Sequence, residues 1–98
     1  MSGFNCYIVS YDIREQKRLC RVHRCMKGFG EPVHYSVFRC DLTLKGKVEM
    51  VAALTDLINL EEDRVMIIDL GASDGKVENR IEFIGAHEEH LERKFIIE

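Results

Sequence analysis

The 98 residues, 46% of them hydrophobic and 32% charged, suffice for one domain with a modest core, and a core of that size favours further burial by dimerisation. No apolar run approaches the roughly 18 residues of a membrane span, and Met1, Ser2 and Gly3 lack the basic opening of a secretory leader; a cytoplasmic protein without membrane contact is expected. The net charge of -3 hides a division: up to Lys47 nine basic side chains face four acidic ones, and beyond it five face thirteen. That surplus points to a polyanion-facing surface.

The run Phe4-Asn5-Cys6-Tyr7-Ile8-Val9-Ser10-Tyr11 reads as a buried strand, and Asp12 ends it. A helix is expected over residues 14–27. Its apolar positions Leu19, Val22, Met26 and Phe29 fall within an arc of roughly 80° at about 100° per residue. Arg14, Lys17, Arg18, Arg21 and Arg24 lie roughly opposite, as a cationic stripe. Gly28 and Gly30 supply the stop. Residues 31–42 are extended, either as one strand or as a hairpin turning at Tyr35-Ser36; no Asn-Gly or Asp-Gly decides it. A second helix is expected over 46–59, an acidic connection over 60–63, and an apolar strand over 64–70. A turn spans 71–75, and a last strand is expected around residues 80–84. The tail, 86–98, is polar until Phe95, Ile96 and Ile97, which need a partner surface. With a hairpin, the order fits a ferredoxin-like βαββαβ arrangement, an α+β fold; with one strand, a small parallel α/β sheet.

Cys6, Cys20, Cys25 and Cys40 contain no CxxC pair, so buried or half-buried thiols are expected in preference to zinc. His87 and His90 share a helical spacing, but a solvated tail is the simpler reading. No nucleophile elbow or glycine-rich phosphate loop is present. Asp12 is the strongest chemical candidate, and two readings of it stand. It can cap the following helix, with Glu15 three residues on in a capping-box pattern. Alternatively it can hold magnesium, which takes one or two carboxylates together with waters and substrate phosphates. Two copies of Asp12 facing each other across a dimer would make the better metal site. Arg14, Lys17, Arg18 and Arg21 would then grip a phosphate backbone.

Four segments together resemble a known family: Tyr7-Ile8-Val9-Ser10-Tyr11-Asp12-Ile13, Lys17-Arg18-Leu19, Tyr35-Ser36-Val37-Phe38-Arg39-Cys40-Asp41-Leu42 and Glu62-Asp63-Arg64-Val65-Met66-Ile67. In order and spacing they are similar to the small CRISPR-associated spacer-acquisition proteins, the Cas-two family, over about residues 4–85. The resemblance implies a ferredoxin-like βαββαβ sandwich with an extra C-terminal strand, and a homodimer with its sheets packed together. It implies domain bounds of 1–85 and a tail, 86–98, docking on the partner. It implies a magnesium-dependent endonuclease of RNA or DNA with Asp12 as catalytic and metal-binding residue, and Ser10, Tyr11, His34, Ser36 and Phe38 around it. It also implies a bridging role beside the larger CRISPR-associated integrase in spacer acquisition. His34 stands where many members carry glutamine, and Arg39 where an acid is frequent. Two alternatives stand beside this reading: a non-catalytic DNA-binding adaptor, and a toxin-type ribonuclease of a toxin–antitoxin pair.

Overall fold

The computed structural model describes residues 3–85. Within them the expected alternation settles into an antiparallel sheet with two helices on one face. Strand β1 (Asn5–Asp12) leads to helix α1 (Gln16–Met26), then strands β2 (Glu31–His34) and β3 (Val37–Leu42). Helix α2 (Leu44–Leu57), strand β4 (Arg64–Ala72) and a short 3-10 turn, Val77–Arg80, follow. The strand order is β2-β3-β1-β4, so the first strand is central. Both of its neighbours run antiparallel to it. This is the ferredoxin-like order, and it resolves the middle segment as a hairpin.

Register assigns the two faces. Val9 sits opposite Phe38 on one side and Ile67 on the other, and Tyr11 sits opposite Val65. These side chains point toward the helices, because alternate residues of a strand share a face. Val9, Phe38 and Cys40 pack with Val22 and Met26 of α1 and Met50 of α2, all without solvent exposure. The helix-free face carries Ile8, Ser10 and Asp12 of β1, Val37 of β3, and Arg64, Met66 and Ile68 of β4.

Local chemistry explains the boundaries. Helix α1 is capped by Glu15, not Asp12: its carboxylate accepts from the backbone N–H of Arg18 (2.9 Å) and Lys17 (3.1 Å). Buried Ile13 intervenes, so the helix starts too late for Asp12 to reach it. Thr43 caps α2 through Gly46 N–H at 3.1 Å and starts it two residues earlier than periodicity alone suggests. The β2–β3 turn holds Ser36 at φ 57°, a left-handed conformation that the missing glycine or asparagine would have announced. Gly30 is required sterically, since a Cβ there would collide with the Arg39 carbonyl and the Cys40 sulfur.

The strand expected around residues 80–84 does not form within the chain. After β4 the backbone turns, and residues 73–80 fold back over the Asn5 end of the helix-free face. Ser73 bonds Asp41, Arg39 pairs with Glu78, and Arg80 donates to the Leu70 carbonyl at 2.6 Å. Val77 and Cys6 are fully buried there. Residues 81–84 join no ladder, and Phe83 and Ile84 are exposed. The tail of residues 86–98, with its expected docking, lies outside the described residues.

One buried charge joins the elements. The Asp63 side chain is fully shielded and accepts four hydrogen bonds: from Arg14 N–H (2.9 Å), Asn59 N–H (2.8 Å), Arg18 Nε (2.8 Å) and Arg18 Nη2 (3.1 Å). Arg18 first, then the two backbone donors, hold its carboxyl well below the usual carboxylate range despite burial. A depressed folded-state pKa stabilises fully above the unfolded value of about 3.9 and is lost as pH falls through the folded one. Asp63→Asn should therefore lower the melting temperature at pH 7 by roughly 10 °C and flatten the acid limb of stability below about pH 4. Thermal unfolding followed by circular dichroism between pH 2 and 7 checks both.

Candidate nucleic-acid interface and metal-binding edge

Asp12 is the last residue of the central strand and is exposed. It lies on the helix-free face, opposite Arg64 in the ladder and two residues from Ser10, which pairs with Met66 and Val37. Adjacent Tyr11 points the other way, into the core beneath α1. Its hydroxyl lies 3.0 Å from His23 Nδ1, and its ring stacks on Phe38 with centroids 6.2 Å apart. Burial pushes the Tyr11 phenol up to about 12, against the hydrogen bond from Ser36 that lowers it. Tyr11 N–H also donates to the Ser36 carbonyl at 3.0 Å, which brings the β2–β3 turn to the Asp12 end of the sheet.

The expected neighbours of Asp12 therefore divide. Ser10 shares its face. Tyr11 and Ser36 sit at the same end but are tied to the helix side. His34 is exposed at the end of β2, its ring 5.7 Å from that of Tyr35. Phe38 is a core residue opposite Val9, supporting the sheet from below. Arg64 was missed: its only sequence signal is a cation opening an apolar strand. It is the cross-strand partner of Asp12 and shares its face of the sheet.

The cationic stripe is real but shorter than expected. Arg14, Lys17, Arg21 and Arg24 are exposed. Arg18 is not available in the same way: its guanidinium bridges Asp63 (2.8 Å) and Glu62 (3.0 Å), and both contacts raise its pKa. Helical geometry accounts for this. At about 100° per residue, Arg18 is the stripe member nearest the apolar arc, so it turns toward the loop before β4.

Among the described residues no group of three or more His, Cys, Asp or Glu side chains can hold a metal. What one chain offers at the end of β1 is a single exposed carboxylate with Arg64 opposite it in the ladder. That set suits a hard divalent ion only when a second carboxylate, water and phosphate oxygens complete the shell. Cys6 and Cys40 are buried, with burial raising both thiols, while Cys20 is exposed. No helix among the described residues is long and apolar enough to cross a membrane.

Comparison with known proteins bears directly on this arrangement. The family profile of CRISPR associated protein Cas2 matches residues 5–76. The chain belongs to the Cas2 family. It is 39% identical over 93 residues to a CRISPR-associated endoribonuclease Cas2 of Rhodospirillum rubrum, covering 95% of this chain and 90% of the relative. To a CRISPR-associated endoribonuclease Cas2 of Geobacter sulfurreducens it is 40% identical over 91 residues, covering 93% and 95%. The fold matches the crystal structure of a hypothetical protein, TT1823, from Thermus thermophilus with a TM-score of 0.74 at 26% identity, over 86% of this chain and 94% of that one. Streptococcus pyogenes Cas2 matches at a TM-score of 0.71, 26% identity, over 82% and 99%. The Cas2 profile ends at residue 76, just before the 3-10 turn.

The division of the stripe is testable by salt dependence. Each phosphate neutralised contributes about 0.7 to the slope of log K against log salt for a single strand and about 0.9 for a duplex. Arg21→Gln should lower that slope by about one contact. Arg18→Gln should leave the slope nearly intact and instead lower the melting temperature.

Proposed function

We propose that this protein is a dimeric, divalent-metal-dependent endoribonuclease serving CRISPR spacer acquisition, with Asp12 from two copies sharing one site. The observation that carries the reading is the position of Asp12: exposed, on the helix-free face, at the end that residues 73–80 leave open. Next to it on that face Met66 is 50% exposed and Ile68 is 42% exposed, an apolar surface suited to a second sheet. Packing two such faces about a two-fold axis would draw the two Asp12 carboxylates together. Their repulsion favours capture of a cation.

Magnesium bound there would supply a polarised water and charge stabilisation for phosphodiester hydrolysis. The chain's own residues do the rest. Asp12 would hold the ion, Arg64 opposite it in the ladder would offset negative charge on the scissile phosphate, and Arg14, Lys17 and Arg21 would hold the neighbouring backbone. RNA is favoured over DNA because the relatives are named endoribonucleases. The exposed stripe also supports a second reading, in which the dimer bridges copies of the larger CRISPR-associated integrase on a DNA duplex, with or without cleavage. Combined Arg14→Ala, Lys17→Ala and Arg21→Ala substitutions should abolish duplex binding under that reading, and unchanged binding rejects it.

Asp12→Asn should reduce magnesium-dependent RNA cleavage by at least about 100-fold, and chelation should reduce the wild type to the same level. Equal cleavage by variant and wild type would remove Asp12 from the chemistry. Met66→Asp, which puts a charge in the proposed sheet–sheet contact, should convert dimer to monomer in light scattering and lose cleavage with it.

A further inference from the structure

A cleft that the nuclease reading leaves unused lies on the other side of β1 from Asp12. It has a volume of about 410 Å³ and runs along α1 beneath the β2–β3 turn. That volume falls in the lower part of the roughly 300–1,000 Å³ typical of small-molecule sites. Tyr11 and His23 line it, joined by their 3.0 Å contact. Arg24 and Lys27 stand along its helix side, and Tyr35 and Ser36 form its turn side. Among the described residues no carboxylate lines it. Tyr35 is 45% exposed, so an aromatic ring is presented to the cleft at low ordering cost.

We infer that this cleft receives one unpaired nucleotide of a single-stranded RNA, its base stacked on Tyr35 and its phosphate held by Arg24 and Lys27. The inference rests on the nucleic-acid reading above and deepens it by assigning a second contact surface, on the helix side of β1. Three observations support it. Arg24 and Lys27 are three apart on one helix, a spacing that puts their charges within reach of one phosphate. An aromatic ring beside cations is the pairing that binds single strands without sequence preference. Arg24 also belongs to the exposed stripe with Lys17 and Arg21, so a strand tracking that stripe is delivered into the cleft. A duplex cannot enter, because its bases are already stacked and paired. The Tyr11–Ser36 backbone bond ties the turn to the residue before Asp12, so the captured nucleotide and the metal edge share one end of the sheet.

The test uses the full-length wild-type protein with chelator present, so binding is read without cleavage. A short labelled oligo(U) RNA and an RNA duplex of equal length are the probes, with AMP as the free nucleotide. Tyr35→Ala should weaken oligo(U) binding about tenfold while Tyr35→Phe restores it, and duplex binding should be unchanged. Independently of any variant, oligo(U) should protect exposed Cys20, which lines the cleft, from iodoacetamide. Half-buried Cys25, which does not line it, should react as before. Wild-type affinity in Tyr35→Ala, or alkylation of Cys20 at the same rate with and without oligo(U), overturns the inference. Protection by AMP but not by oligo(U) assigns the cleft to a free nucleotide and overturns the strand. A protein that binds and is protected but never cleaves RNA counts against the nuclease reading alone; one that cleaves with no dependence on Tyr35 counts against the cleft alone.

Discussion

The Asp63 carboxylate ties the end of β1, the first turn of α1 and the exit from α2 together. It is a charge with no solvent exposure of its side chain, and four donors from three segments converge on it. Removing any donor leaves an under-satisfied buried charge, which is far costlier than never having placed one there. The constraint is geometric as well as energetic. Arg14 N–H fixes where the chain leaves β1, Arg18 fixes the first turn of α1, and Asn59 N–H fixes the exit from α2. The direction of α1 relative to the end of β1 follows, and with it the spacing between Asp12 and the cationic stripe. An arginine that looks like a nucleic-acid contact is instead part of the frame that aims the others.

That frame separates two chemistries on one strand end. Consecutive residues of β1 point to opposite faces, so Asp12 faces the open sheet and Tyr11 the helix side. A second copy meeting the Asp12 face, as proposed, would leave the cleft behind it undisturbed. The fold-back of residues 73–80 serves the same division. It covers the Asn5 end of the helix-free face through Glu78 and Ser73 and leaves the Asp12 end uncovered. Arg39, an unexpected cation in the middle of that face, is what the fold-back binds, between Asp41 at 3.4 Å and Glu78.

Much of this was legible in the sequence, for identifiable reasons. The apolar patterns located β1, β4, both helices and the extended character of residues 31–42, because buried strand and helix faces obey different spacings. The hairpin was not legible from local pattern, since Ser36 takes the left-handed position usually given to glycine or asparagine. Capping misled at Asp12: Glu15, read as the far half of a capping box, is itself the cap. Asp63 and Arg64 stood in the fourth family-like segment, but nothing local gave either a role. Their roles depend on segments more than forty residues apart meeting, which no local pattern encodes. The strand expected near residue 82 joins no ladder, although the outer edges of β2 and β4 are both unpaired among the described residues.

The central claim is that the chemistry belongs to a pair of chains, one carboxylate from each. Subunit mixing tests it most directly. Wild-type and Asp12→Asn chains are co-refolded in varied ratios at constant total protein, and magnesium-dependent RNA cleavage is measured for each mixture. A shared site that needs both carboxylates predicts activity falling as the square of the wild-type fraction. Activity falling in direct proportion to that fraction would mean that each Asp12 works alone and would contradict the account.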